Sequence, residues 1–330
     1  MSASSESFQA PPPPLQATPR APRPTQLRPF GIAIFVLGLL LVGAAAAKVL
    51  AFSTGIVVAL GGIIVFVFSF IPLPVISDAE PPLSFFAKVT GIFFEPSRVF
   101  RNLRVHPHWV GAYVIVVVLS LIYTFVFVQR ITPERIADHM TEKISEMGAL
   151  APPPDRIEAI REAQLTQLKK PAERAGTAAK SAVGLFVIGA ITAALCLLGI
   201  LAFGGRINYW QALSVVFFSW LPITVIQKVL GLAIMFLKTP EDLHPIRNQE
   251  TTLQDNLGLL MSATDHPVLF VLLSFIGLTW FYLIWLRAKG LNLGGTKVGS
   301  GAAWGVSIMI YILLLLFAVI STSLFPGFVS

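Results

Sequence analysis

The side chains best able to do chemistry in this chain are few and scattered. Lys228, beside Gln227, is the sole charge near the middle of an apolar run over 211–236 that Pro222 interrupts. Arg104, His106, His108 and Trp109 form RVHPHW, with two imidazoles one residue apart. Glu241, Asp242, His244, Asp265 and His266 share a second polar stretch, and GLNLGGTK at 290–297 has glycines resembling those of a phosphate loop.

Each candidate has a plainer reading. Two histidines with no third ligand nearby make a weak metal site, so RVHPHW reads better as a segment touching lipid headgroups just ahead of a span. The acids around His244 and His266 read as an ordinary acidic loop. The glycine stretch lacks the Gly-Lys-Ser/Thr order and follows an apolar segment instead of a strand, so its glycines serve a turn. No Asp, Glu or His falls inside an apolar run, and HExxH is absent. This argues against an intramembrane protease, whose chemistry needs polar groups at membrane depth. No catalytic, cofactor-binding or metal-binding residue is assigned. Lys228 suits snorkelling or packing better than proton relay, because a relay would need an acidic partner. A transport role using Lys228, Gln227 and the Pro222 break remains the competing reading.

These residues sit in a chain whose solvent is a bilayer. Of 330 residues 55% are hydrophobic and only 12% charged, with a mean hydropathy of +0.76, outside the range of soluble domains. About 20 apolar residues of helix cross a hydrocarbon core of about 30 Å. Seven runs meet that length: 31–50, 53–71, 110–128, 182–203, 211–236, 268–285 and 304–324. The fold class is therefore all-α, a polytopic helical membrane bundle. The net charge of +7 is explained by basic residues at a cytoplasmic face better than by nucleic acid. Cys196, the only cysteine, excludes an intrachain disulfide framework.

The segments between the spans set the organisation. Residues 1–30 are rich in proline and arginine and read as a disordered basic tail. The spans over 31–76 form a tight hairpin, and a cleaved signal peptide is disfavoured because the polar lead is long and a second span follows at once. In 85–104, Phe85, Phe86, Phe93, Phe94 and Phe100 alternate with Lys88, Arg98, Arg101 and Arg104. Such a segment suits a helix lying at the lipid interface as well as a connector packed on the bundle. Phe93, Phe94, Arg98, Arg101, Arg104 and Trp109 are the candidate lipid or partner interface.

A charged insert over 129–181 divides into two short amphipathic helices. The first starts at Thr132 as N-cap, carries Ile136, Met140, Ile144 and Met147 on one face and stops at Gly148. The second carries a capping box from Asp155 and Glu158, with Ile157, Ile160, Leu165 and Leu168 as its stripe. In 182–203, Gly184, Gly189, Ala190, Ala194 and Gly199 would let neighbouring backbones approach. Residues 204–222, GGRINYWQALSVVFFSWLP, open with the polar hinge between two spans.

With the N-terminus cytoplasmic, the inner segments carry Arg20, Arg23, Arg28, Lys88, Arg98, Arg101, Arg104, Arg206, Arg287, Lys289 and Lys297 against Glu6, Asp78, Glu80 and Glu95. The outer segments carry as many bases, with thirteen acids, so the long insert leaves the positive-inside rule ambiguous. The short loops, where the rule is most reliable, favour that orientation, and seven spans then leave the C-terminus outside.

EPSRVFRNLRVHPHW before a span, the insert that opens on Pro-Glu, GGRINYWQALSVVFFSWLP and a final helical pair joined by a Gly-rich basic turn together resemble the Yip domain (Ypt-interacting protein one) in its bacterial branch. The likeness covers about 94–324. It implies a five-span helical domain with a cytoplasmic N-terminal side, here 77–330, to which the 31–76 hairpin is an addition that preserves orientation. Eukaryotic members bind Rab-type GTPases and assist membrane traffic, whereas bacterial members have no generally assigned activity. The expectation is a non-enzymatic protein of the bacterial inner membrane, without cofactor, that scaffolds partners or organises lipid through its cytoplasmic aromatic and basic segments. Its expected partners are membrane lipid and proteins, a second copy of itself included, but not nucleic acid.

Overall fold

The computed structural model describes residues 23–25, 27–46, 51–73, 81–146, 151–246 and 248–324. Most of the proline-rich tail, Asp78 and Glu80, and the Met147 and Gly148 end of the first insert helix lie outside the described residues. The chain forms α1 (Leu27–Ala46), α2 (Phe52–Phe68), α3 (Phe85–Phe94), α4 (Pro96–Val105), α5 (Val110–Ile131), α6 (Pro133–Ser145), α7 (Pro154–Lys169), α8 (Pro171–Ala202), α9 (Tyr209–Leu237), α10 (Pro267–Ser274), α11 (Leu278–Gly294) and α12 (Ser300–Leu324). Among the described residues there is no strand, only two isolated bridges. The protein is an all-α membrane bundle.

Among the described residues five helices, α1, α5, α8, α9 and α12, are long and apolar enough to cross a membrane. The shorter α2 has 17 residues and lies antiparallel along α1, where glycines bring the backbones together. A Cβ on Gly38 would sit 2.3 Å from the Ala59 nitrogen, and one on Gly62 2.3 Å from the Phe35 nitrogen.

The sixth expected span does not exist as one helix. The apolar run over 268–285 is broken at Phe275–Gly277 into α10 and α11, because the loop before it docks into the gap. Leu257 N–H donates to the Ile276 carbonyl at 3.0 Å and Leu278 N–H to the Asp255 carbonyl at 3.3 Å. The Asp255 carboxylate accepts from Thr279 N–H at 2.6 Å, satisfying an orphan donor of the first turn of α11 where the helix dipole favours an anion. At its other end α11 runs past Trp285 to Gly294, so Arg287 and Lys289 are helical and the turn to α12 is confined to 295–299.

Pro222 does not break its span either. α9 is continuous through it. The proline removes one N–H from the ladder, but Leu221, Pro222 and Ile223 are all buried among neighbouring helices, and such packing supports a proline inside a membrane helix. The hinge ahead of α9 shrinks to 203–208, and its polar residues close the helix. Asn208 Oδ1 accepts from Trp210 N–H at 2.9 Å, and Asn208 N–H donates to Gln211 Oε1 at 2.8 Å.

Three local expectations are corrected. Thr132 holds the N-cap position of α6 but makes no side-chain cap, its φ of 78° lying outside the extended region from which a capping side chain reaches the N2 and N3 amides. Asp155 and Glu158 form no capping box: α7 begins at Pro154, so Asp155 lies inside the first turn, and Glu158 pairs with Arg161 at 3.4 Å. The fourth span extends back from 182 to Pro171, giving α8 its 32 residues. Within it, Gly189 admits the Phe217 ring, whereas Gly184 faces open space.

The two ends of the bundle differ in charge. At one end Arg206 and Thr296 exchange backbone hydrogen bonds of 2.9 and 2.7 Å, Trp210 Nε1 donates to the Ile71 carbonyl at 3.1 Å and Gln211 Nε2 to the Arg104 carbonyl at 2.7 Å. At the other, Arg130 reaches the Lys238 carbonyl at 3.1 Å and Arg135 the Glu241 carbonyl at 3.0 Å. There α6 and α7 carry six acids, Glu134, Asp138, Glu142, Asp155, Glu158 and Glu162.

Candidate functional site

Two places in this frame hold polar or charged groups in unusual settings. The first is the α3–α4 pair at the basic end. Ser84 caps α3 by accepting from Ala87 N–H at 3.2 Å, and Pro96 starts α4 one residue after α3 ends. In α4, Val99, Phe100 and Leu103 point into the core, while Arg98 and Arg101 face out. Buried Asn102 ties down the preceding strap, its Nδ2 donating to the Pro81 carbonyl at 3.1 Å and its Oδ1 accepting from Leu83 N–H at 3.2 Å. Phe86 and Phe94, eight residues apart on α3, are 77% and 85% exposed. Lys88 is turned inward, and burial lowers its pKa.

The expected interface residues therefore separate. Phe94, Arg98 and Arg101 are on the surface, Arg98 paired with Glu95 at 3.3 Å and Arg101 Nε donating to the Ser97 carbonyl at 3.2 Å. Phe93 and Arg104 are half-buried. Trp109, half-buried, stacks on Phe217 with centroids 5.7 Å apart and contacts Phe186 and Tyr113, so it takes part in the packing of α5 against α8 and α9.

The second place is a cavity of about 660 Å³ walled by α5, α8, α9 and α11. Gln227 and Lys228 line it together with Ser120, Thr192, Thr279 and Arg287. Lys228 Nζ donates to the Glu250 carbonyl and lies 4.7 Å from the centroid of the Tyr123 ring. Gln227 Nε2 reaches Thr279 Oγ1 at 3.4 Å. Pro222 does not line this cavity. Among the described residues Arg287 is the largest fully buried side chain, 2% exposed. Among the described residues it forms no ion pair, and its Nε has no hydrogen-bond partner. A buried charge left without a partner costs on the order of several kcal/mol.

The histidines do not assemble a metal site. The His106 and His108 rings are 6.4 Å apart, and His244 meets His139 edge to face at 4.9 Å. Among the described residues no three His, Cys, Asp or Glu side chains group closely enough to hold a metal ion.

Comparison with known families matches the Yip1 domain to residues 90–321, a stretch that runs from within α3 to within α12. The chain belongs to the Yip1 domain family. No curated protein and no solved structure matches it. The Yip1 domain match takes in α4 and all four walls of the cavity, whereas α1 and α2 precede it. Membership makes the protein an integral, multi-pass membrane protein, and the Yip1 family is not a known enzyme family.

Within the Yip1 domain the residue that sequence reasoning missed is Arg287. The apolar run fades after Trp285 and glycines follow, which suggests a loop. The available signal was periodicity: Thr279, Leu283, Arg287 and Leu291 recur every four residues and share the buried face of α11.

Proposed function

We propose that this Yip1-family protein is a non-enzymatic organiser of membrane surface, which gathers anionic lipid or a protein partner at its basic end through α3 and α4. The observation that carries this reading is the pairing of uncovered Phe86 and Phe94 rings on α3 with outward Arg98 and Arg101 on α4. Rings at the acyl boundary and cations at the headgroups are the two contacts an interfacial helix uses, each Lys or Arg contributing about 1 kcal/mol near an anionic leaflet. The basic end then faces the cytoplasm of a bacterial inner membrane, with the N-terminus inside and the C-terminus outside.

The test is energy transfer in mixed vesicles, from a donor on the reconstituted protein to headgroup-labelled anionic lipid. Arg98→Glu with Arg101→Glu should bring transfer down to the random-mixing level. Equal transfer from variant and parent overturns the lipid reading.

A second reading, passage of a small solute, has lost its helix break at Pro222 but keeps Lys228 and Gln227 on the cavity wall. Solute flux in proteoliposomes that disappears in Lys228→Leu would favour it. Absence of flux in the parent over a broad solute panel would remove it.

A further inference from the structure

Among the described residues no carboxylate answers the buried charge of Arg287. Its guanidinium is charged at any accessible pH, and it is all but sealed from the exterior. It lines the cavity, where Lys228 adds a second positive charge and Glu250 is the one acid among the lining residues. At about 1.5 Å per residue, Arg287 lies roughly 10 Å along α11 from its basic end, and Lys228 roughly 28 Å along α9 from the same end. The cavity thus runs along the bilayer normal, with Arg287 toward the basic end and Lys228 toward the acidic one.

The walls and the exit indicate what kind of anion fits. Val116, Leu185 and Leu283 face the cavity between the hydroxyls of Ser120, Thr192 and Thr279. A second, mainly apolar groove of about 630 Å³ lies between α5 and α8, and Ser120, Leu121, Thr124, Thr177 and Ser181 line both spaces. Ile122, Phe125 and Val128 continue the groove toward the acidic end. A small inorganic anion would leave the mainly apolar groove beyond those shared residues without a purpose, whereas an amphiphile uses both parts.

We propose that the cavity is an intramembrane site for one anionic phospholipid. Its phosphate oxygens accept from the Arg287 guanidinium, a planar fork suited to two oxygens of one phosphate. An acyl chain runs toward the acidic end and leaves through the α5–α8 groove. This site is separate from the α3–α4 surface and rests on different residues.

The experiment uses the full chain, purified in detergent and stripped of lipid, with native mass spectrometry and thermal unfolding as readouts. The probes are phosphatidylglycerol, diacylglycerol with the same acyl chains, and inorganic phosphate. Phosphatidylglycerol should remain on the protein one to one and raise its unfolding temperature, while the other two probes leave both readouts unchanged. Arg287→Met should lose the retained lipid at least tenfold, and Arg287→Lys should recover part of it. Ser181→Trp places bulk in the groove at an exposed position without touching Arg287, and should weaken retention in a protein that folds normally.

Retention by Arg287→Met and Ser181→Trp equal to that of the parent overturns the proposal. So does a shift by inorganic phosphate as large as that by phosphatidylglycerol, which would assign the site to a free solute, or by diacylglycerol, which would leave the charge without a role. Loss of the retained lipid in the Arg98→Glu, Arg101→Glu protein would overturn it by moving the lipid to the α3–α4 surface.

Discussion

At the scale of single residues, polar side chains in this protein act mainly by closing backbone groups that lipid or core would otherwise leave bare. Asn102 holds both Pro81 and Leu83, and removing it orphans a carbonyl and an N–H. Asn102→Ala is expected to destabilise the protein by about 1–3 kcal/mol and to speed proteolytic cleavage in 81–84, as followed by thermal unfolding and limited digestion in detergent. Trp109 shows why residue type alone misleads at a membrane boundary. Tryptophan is enriched there, yet a ring between Phe186 and Phe217 gains more from aromatic packing than from water. Arg287 makes the opposite point, since a basic residue between apolar and glycine-rich stretches reads as loop until the helix is known to continue.

At the scale of elements, α1 and α2 depend on close approach. Gly38→Leu would drive a side chain into the Ala59 backbone, and overpacking of that kind costs about 1–3 kcal/mol. The expected outcome is a lower unfolding temperature, with the hairpin the first part to become accessible to hydrogen exchange. In α6, His139 stands edge-on to His244. Burial, then Lys143, lowers its pKa from 6.5, outweighing Glu142 and Glu146, while Arg135 lowers it further. Because the unfolded chain then takes up the proton first as pH falls, the stabilisation from neutral His139 is complete above about pH 6.5 and is lost on acidification through the lower folded-state value. Unfolding temperatures from pH 8 to pH 5 should therefore fall less steeply in His139→Gln than in the parent. A variant curve parallel to the parent's would remove His139 as the cause.

At the scale of the whole molecule, charge separates the two ends. Arg98, Arg101, Arg206 and Lys297 share one end, where Glu95 is the only acid among the described residues, and α6 and α7 cap the other. In a Cys196→Ala background, Arg98→Cys should react with an impermeant maleimide only after the cells are opened, and Glu162→Cys in intact spheroplasts. The reverse pattern would invert the topology and place α3 and α4 on the outer leaflet. Arg287 no longer counts toward this charge bias, being inside the bundle; Arg98, Arg101, Arg206 and Lys297 remain at that end.

Hydropathy and length were enough to establish a helical membrane bundle, because a bilayer admits no partly satisfied backbone and so ties apolar run length directly to helix. The order of apolar and basic segments, from EPSRVFRNLRVHPHW to the final helical pair, carried the Yip1 resemblance. Periodicity also placed Ile136 of α6 on its buried face. What only the folded chain decided were the contacts between segments distant in sequence. The 251–257 loop splits the sixth apolar run by donating and accepting at Ile276, Leu278 and Thr279. Neighbouring helices keep α9 whole through Pro222, and the extension of α11 carries Arg287 into the cavity that Lys228 also lines. Apolar run length is a local property, but breaks, burial of charge and cavities arise from which surfaces meet.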